Sequence, residues 1–203
     1  MMEARHMQAH TRARQEGFTL LEVMISTVIL TVGLVSVLAS LCVAVAANQT
    51  AQQDMIARQL ASEAMESVYT ARNDSEMSWG QVNNVSNGGI FVDGVQSVMC
   101  AGPDGIIGTA DDAACLLPSG ATCPNAGVHC LDEPGPDGIL GTADDVIVSL
   151  PNFTRQIQIG QLLDTGGNIV PALRQVTITI SYTAPQSNVP KTYVLTEYVS
   201  AYH

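Results

Sequence analysis

The chain has 203 residues, enough for one domain with an appendage. Eight basic residues face nineteen acidic ones, giving a formal net charge of -11, and this excludes the basic face that nucleic acid or anionic lipid would require. Hydrophobic residues reach 46% and charged residues only 13%, too apolar for a disordered acidic chain. Aromatics are 4%, so the core must be aliphatic.

The charge is unevenly placed. Residues 1–17 carry Arg5, Arg12 and Arg14 together with Glu3 and Glu16. Without them the remainder holds 5 basic and 17 acidic residues, net -12. Between Phe18 and Ala47, thirty positions contain one charged residue, Glu22. The chain reads as a basic leader, an apolar rod and an acidic body.

The rod is apolar nearly all round and long enough to span a bilayer, whereas a core helix of a soluble domain is apolar on one stripe. Gly33 and the many β-branched residues suit a membrane helix better than a helix in water. The arginines before the rod, and the absence of basic residues from Asn48 to Asp54, keep the N-terminus cytoplasmic and send the acidic body across the membrane. Ala44-Val45-Ala46 offers a small-x-small site, but the rod is about twice as long as an ordinary secretory signal needs. Glu22 has two readings. A carboxylate inside an apolar helix costs on the order of 2.5–3.5 kcal/mol and marks function; at the interface near the helix start it is tolerated by the helix dipole.

Gly17-Phe18-Thr19-Leu20-Leu21-Glu22-Val23, after a basic leader and before about two dozen apolar residues, resembles the prepilin signature of type IV pilins and type II secretion pseudopilins. The resemblance implies a structural subunit and no enzyme. It implies cleavage by prepilin peptidase between Gly17 and Phe18, N-methylation of Phe18, and an assembly role for Glu22. The cationic amine left on Phe18 and a neighbouring subunit's Glu22 are each expensive alone in low dielectric and tolerable as a pair, so the pair would select the register of assembly.

After the rod, Met55, Ile56, Leu60, Ala64, Met65 and Val68 recur at helical spacing among polar residues, so the helix is expected to run on to Tyr69–Asn73. Near the C-terminus, 152–161, 174–183 and 192–200 alternate as strands do, with Val176, Ile178, Ile180 and Tyr182 on one face. Turn clusters stand at Asp164–Asn168 and Ala184–Asn188, and Val146–Val148 is a candidate short strand. The expected architecture is α+β and pilin-like. The segments are a leader over 1–17, a membrane or filament-core helix over 18–47 and its amphipathic continuation over 48–73. A Cys-rich loop over 74–145 and an antiparallel sheet over 146–203 follow. Phe153-x-Arg155 with Val176–Ser181 resembles PilV-type minor pilins in particular.

The loop region contains an internal repeat, Gly102-Pro103-Asp104-Gly105-Ile106-Ile107-Gly108-Thr109-Ala110-Asp111-Asp112 and Gly135 to Asp145, differing only at the sixth position. Asp104, Asp111 and Asp112, and Asp137, Asp144 and Asp145, could supply oxygens to Ca²⁺ on loops that curl at glycine. The other reading is a rigid Pro-Asp-Gly turn followed by an exposed acidic pair.

Cys42 lies in the rod. Cys100, Cys115, Cys123 and Cys130 lie on the exported side, where disulfides persist, and allow three pairings. Cys100–Cys115 with Cys123–Cys130 would clip the first repeat and is preferred. Zinc on Cys123, Cys130 and His129 is the rival, at poor spacing. No catalytic constellation stands out. His129 and His203 are the only histidines after Gly17, and no phosphate-binding loop is present. The partners implied are other pilin or pseudopilin subunits through the N-terminal helix, prepilin peptidase, and the bacterial inner membrane before assembly into a pilus or periplasmic pseudopilus. A membrane-anchored calcium-binding adhesion module that never polymerises is the alternative.

Overall fold

The computed structural model describes residues 17–115, 123–124, 128–183 and 189–202. The chain forms two compact units, residues 1–46 and 47–203. One helix, α1 (Leu20–Asn73), supplies the described part of the first unit and the opening of the second. Its 54 residues contain no proline and a single glycine. Thr19 starts it: the Thr19 hydroxyl oxygen accepts the Glu22 backbone N–H at 3.3 Å, satisfying one of the unpaired donors of the first turn. Within the rod, the hydroxyls of Thr27, Thr31 and Ser36 each donate to the carbonyl three residues back, at 2.8–2.9 Å. Their polarity is spent inside the helix, and the outer surface stays apolar. This helix is long and apolar enough to cross a membrane by length and composition.

In the second unit α1 buries Ala57, Leu60, Ala61, Ala64, Met65, Val68 and Ala71. Four of these seven are alanines, which let the helix axis come close to the sheet. The sheet is antiparallel in the order β1 (Gln96–Ser97), β4 (Phe153–Leu163), β5 (Ile169–Thr183) and β6 (Pro190–Ser200). Register pairs Ile157 with Ile178 and Ile159 with Val176. Val176, Ile178, Ile180 and Tyr182 all point into the core, as the alternation requires. Phe153 stacks on Tyr182 with ring centroids 5.1 Å apart. Between β4 and β5 an Asp164 carboxylate oxygen accepts the N–H groups of Gly166 and Asn168, both at 2.8 Å, and closes the expected turn. The turn expected at Ala184–Asn188 lies outside the described residues.

Two segments are placed differently from the expectation. Val146–Ser149 (β3) does not join the sheet; it pairs with Cys130–Glu133 (β2) in a separate two-stranded ribbon. The edge of β4 is already taken. Gln96 and Ser97 pair with Arg155 and Thr154, and further along the Asn84 side chain donates to the Ile157 carbonyl at 2.8 Å and accepts from the Ile159 N–H at 2.7 Å. The stretch from 74 to 145 is therefore more than a surface loop. It contributes Val82, Phe91, Val98 and Ile106 to the core beside the helix and sheet.

Asn84 generates a prediction. Asn84→Ala leaves a buried carbonyl and a buried N–H without partners, at about 1–3 kcal/mol each. Urea unfolding should show a loss of at least about 2 kcal/mol, while Asn87→Ala, on the exposed side of the same turn, stays within about 0.5 kcal/mol of the parent.

Candidate functional site: the helix entrance and the acidic repeats

Two places carry the residues singled out by the sequence. At the first, Gly17, Phe18 and Thr19 precede the helix in irregular, exposed backbone, and Phe18 is 82% exposed. The Gly17–Phe18 peptide is thus outside the hydrogen-bonded helix and open to an endopeptidase. A Cβ at Gly17 would meet no described atom within 4 Å. The fold does not ask for glycine there, so any requirement for it comes from a recognising partner. Glu22 sits exposed in the first helical turn beside the capping Thr19. The Thr-x-x-Glu spacing of 19–22 is the sequence mark of such a cap and was legible in the chain.

At the second place the two repeats fold alike. In the first, an Asp104 oxygen accepts the Ile106 N–H at 2.8 Å, an Asp111 oxygen lies 2.6 Å from the Thr109 hydroxyl, and Asp112 accepts the Gly108 N–H at 2.9 Å. In the second, Asp137 accepts from Ile139 at 2.8 Å, Asp144 from Thr142 at 2.6 Å and Asp145 from Gly141 at 2.6 Å. The leading glycines are needed for closeness: a Cβ at Gly102 or Gly135 would lie 2.2 Å from the carbonyl oxygen of Asp111 or Asp144. The threonine hydroxyls hold the Asp111 and Asp144 carboxyls below the usual aspartate range.

The surroundings of the two copies differ. Ile106 and Ile107 of the first are buried, and Asp112 forms an ion pair at 3.3 Å with Arg155, which is itself buried in the sheet. Burial pushes the Asp112 carboxyl up, against the pull of the Gly108 N–H and the Arg155 guanidinium. Ile139 and Leu140 of the second are 60% and 57% exposed. The repeats themselves carry no sign of this difference, because ten of their eleven residues are the same.

Cys100 pairs with Cys115, and Cys123 with Cys130. The Cys100–Cys115 bridge, together with mutual backbone hydrogen bonds between Cys100 and Ala113 at 3.0 Å, closes the first repeat into a ring. A closed loop of that length stabilises by about 3 kcal/mol through the unfolded chain. The second repeat is closed instead by the end of the ribbon, where Glu133 faces Val146.

The carboxylates of Asp104, Asp111, Asp112, Asp137, Asp144 and Asp145 are turned onto N–H and hydroxyl donors of their own loops, and Asp112 also has an arginine. Among the described residues, the one set of three potential ligands lying within 4.8 Å of one another is Cys100, Cys115 and His129. Its two sulfurs are joined in a disulfide and offer no thiolate. Zinc on Cys123, Cys130 and His129 meets the same obstacle.

His129 ties these parts together. Its N–H donates to the Val98 carbonyl at 2.6 Å, its carbonyl accepts from Leu150, and its imidazole Nε2 lies 4.0 Å from Glu63 of α1. Nδ1 is buried without a hydrogen-bond partner among the described residues. Burial holds the imidazole below the usual histidine range, opposed by Glu63 and helped by Arg155.

Residues 12–38 match the prokaryotic N-terminal methylation motif, the type IV pilin-like prepilin signal. Comparison with curated proteins and with solved structures finds no match to the chain. The matched segment includes Gly17, Phe18 and Glu22 and stops inside the apolar rod. The motif points to a type IV pilin- or pseudopilin-like protein. The motif and the apolar helix fit a single-pass anchor in the inner membrane.

Two predictions come from this region. His129 is favoured neutral in the fold, so below the usual histidine pKa the unfolded chain takes up a proton that the folded chain resists. Stability should therefore fall between about pH 7 and about pH 5, and His129→Gln should flatten that slope in urea midpoints. The repeats are tested for Ca²⁺ by thermal melts in millimolar Ca²⁺ and in EDTA: superimposable melts leave them as acidic turns, and a Ca²⁺-specific rise lost in Asp111→Asn/Asp144→Asn supports a metal site.

Proposed function

We propose that this chain is a minor pilin or pseudopilin, a structural subunit of a type IV pilus or type II secretion filament assembled from the inner membrane. The observation that carries the reading is the match at residues 12–38, with its Gly17–Phe18 bond in exposed backbone ahead of a capped apolar helix. Prepilin peptidase removes residues 1–17 and methylates Phe18. The rod, held in the membrane until then, packs among the rods of other subunits, and the acidic unit faces outward. The likeness of Phe153-x-Arg155 and Val176–Ser181 to PilV-type minor pilins belongs to this proposal.

Electrostatics fixes the register. Cleavage leaves a cationic amine on Phe18, for which Glu22 of a neighbouring subunit is the partner. In a bundle of low dielectric the two charges are tolerable only together, so subunits staggered by one step are favoured over other staggers. The helix N-terminus also favours the carboxylate of Glu22. A calcium-binding anchor that never polymerises has no support comparable to the match at residues 12–38.

Intact mass of the protein from its native cell tests the reading: a chain beginning at methylated Phe18 supports it, and a chain retaining Arg5–Gly17 overturns it. Glu22→Val should leave cleavage intact and reduce recovery in sheared filaments by at least about tenfold, on the insertion cost of an unpaired charge. Equal recovery would make Glu22 an interfacial residue only.

A further inference from the structure

The first repeat records what this loop does when docked: it buries its aliphatic pair and gives its last aspartate to an arginine. The second repeat has the same backbone turns and the same acidic pair. Its Ile139 and Leu140 are exposed, and no basic side chain among the described residues lies within ion-pair distance of Asp144 or Asp145. A matching seat would need a cation beside apolar or aromatic surface.

One such seat exists on this unit. Of the five basic residues after Gly17, Arg155 is paired with Asp112, Arg174 stacks over Trp79 at 4.3 Å, and Arg72 is bonded to Asn73 at 2.8 and 3.0 Å. The other two, Arg58 and Lys191, both line an open cavity of about 310 Å³ with Asp54, Tyr182, Thr192 and Tyr193. Arg58 lies over the Tyr193 ring at 5.8 Å. Asp54 accepts the Tyr182 hydroxyl and is 3.6 Å from Lys191. The cavity carries one net positive charge on a unit that is otherwise strongly acidic.

Seat and loop do not meet within one chain in this structure. Lys191 and Tyr193 belong to β6, one edge of the sheet. The ribbon bearing the second repeat is tied by His129 to Val98, just past β1 at the other edge. On α1, Gln52 bonds Glu133 at the entrance of the second repeat, at 3.2 Å. Gln52 and Asp54 point about 160° apart at 3.6 residues per turn, with the buried stripe of Ala57, Ala61 and Ala64 between them. Loop and seat thus occupy opposite flanks.

We propose that the cavity at Arg58 and Lys191 receives the second repeat of a second copy of this chain, with Asp144 and Asp145 toward the two cations and Ile139–Leu140 against Tyr193. Such a contact is heterologous: each copy offers a loop on one side and a seat on the other, so it propagates and does not close on a dimer. It deepens the filament reading and rests on it.

The test uses the full chain in cells that assemble it, with Cys42→Ser to remove the free thiol. Lys191→Cys combined with Asp144→Cys should give, under mild oxidant, a ladder of dimers and higher species, and either substitution alone should give none. Independently, Arg58→Glu/Lys191→Glu should weaken pull-down of one tagged copy by another about fivefold, and Asp144→Lys/Asp145→Lys should restore it. Absence of the ladder in normally cleaved chains, dimers from a single substitution, or indifference to charge reversal would overturn the contact. Retention of residues 1–17 on the wild-type chain would count against the filament reading itself, and the ladder would still judge the contact in the membrane.

Discussion

A helix can be stable and still have nowhere to go. In the first half of α1 the large aliphatic side chains, from Leu20 to Val45, lie more than half exposed on the chain's own surface. Each would gain roughly 1.5–3 kcal/mol by leaving water. That surplus must be met outside the molecule, by lipid and, on the proposed function, by like helices. The same constraint explains why the rod's hydroxyls fold back on its own carbonyls, and why its single carboxylate stands at one end. A carboxylate in the middle would oppose both environments.

The second half of the same helix obeys a different rule. Its buried stripe is rich in alanine, so the backbone approaches a sheet whose inward side chains are branched aliphatics. Polar side chains then perform work that backbone cannot. Asn84 supplies the hydrogen bonds that β4 lacks at its open edge, and Arg155 brings the first repeat against the sheet through Asp112. The first repeat, the disulfide around it and the core are one structure, so that acidic turn is held with a fixed face.

Much of this was legible in the chain. The uniform apolarity of 18–47 announced the rod, the alternation at 176–182 announced the inward face of β5, and the Gly-Phe-Thr-Leu stretch announced the entrance. Other features depended on contacts far apart in sequence. Val146–Val148 looks like a strand of the sheet, but only the tertiary structure shows that the edge of β4 is occupied and that its partner is Cys130–Glu133. The acidic spacing of the repeats does not reveal which N–H and hydroxyl groups each carboxylate accepts from. Nothing local distinguishes a repeat that buries its isoleucines from one that exposes them; Phe91, Ile157 and Arg155 make that difference.

The account stands on the claim that the rod exchanges lipid for other rods. Shearing the cells and collecting filaments free of membrane measures this directly. The account predicts that the chain is recovered in that lipid-free fraction without detergent, its rod protected from protease while the acidic unit remains accessible to antibody. A chain found wholly in the membrane fraction, in cells that are making filaments, would contradict it.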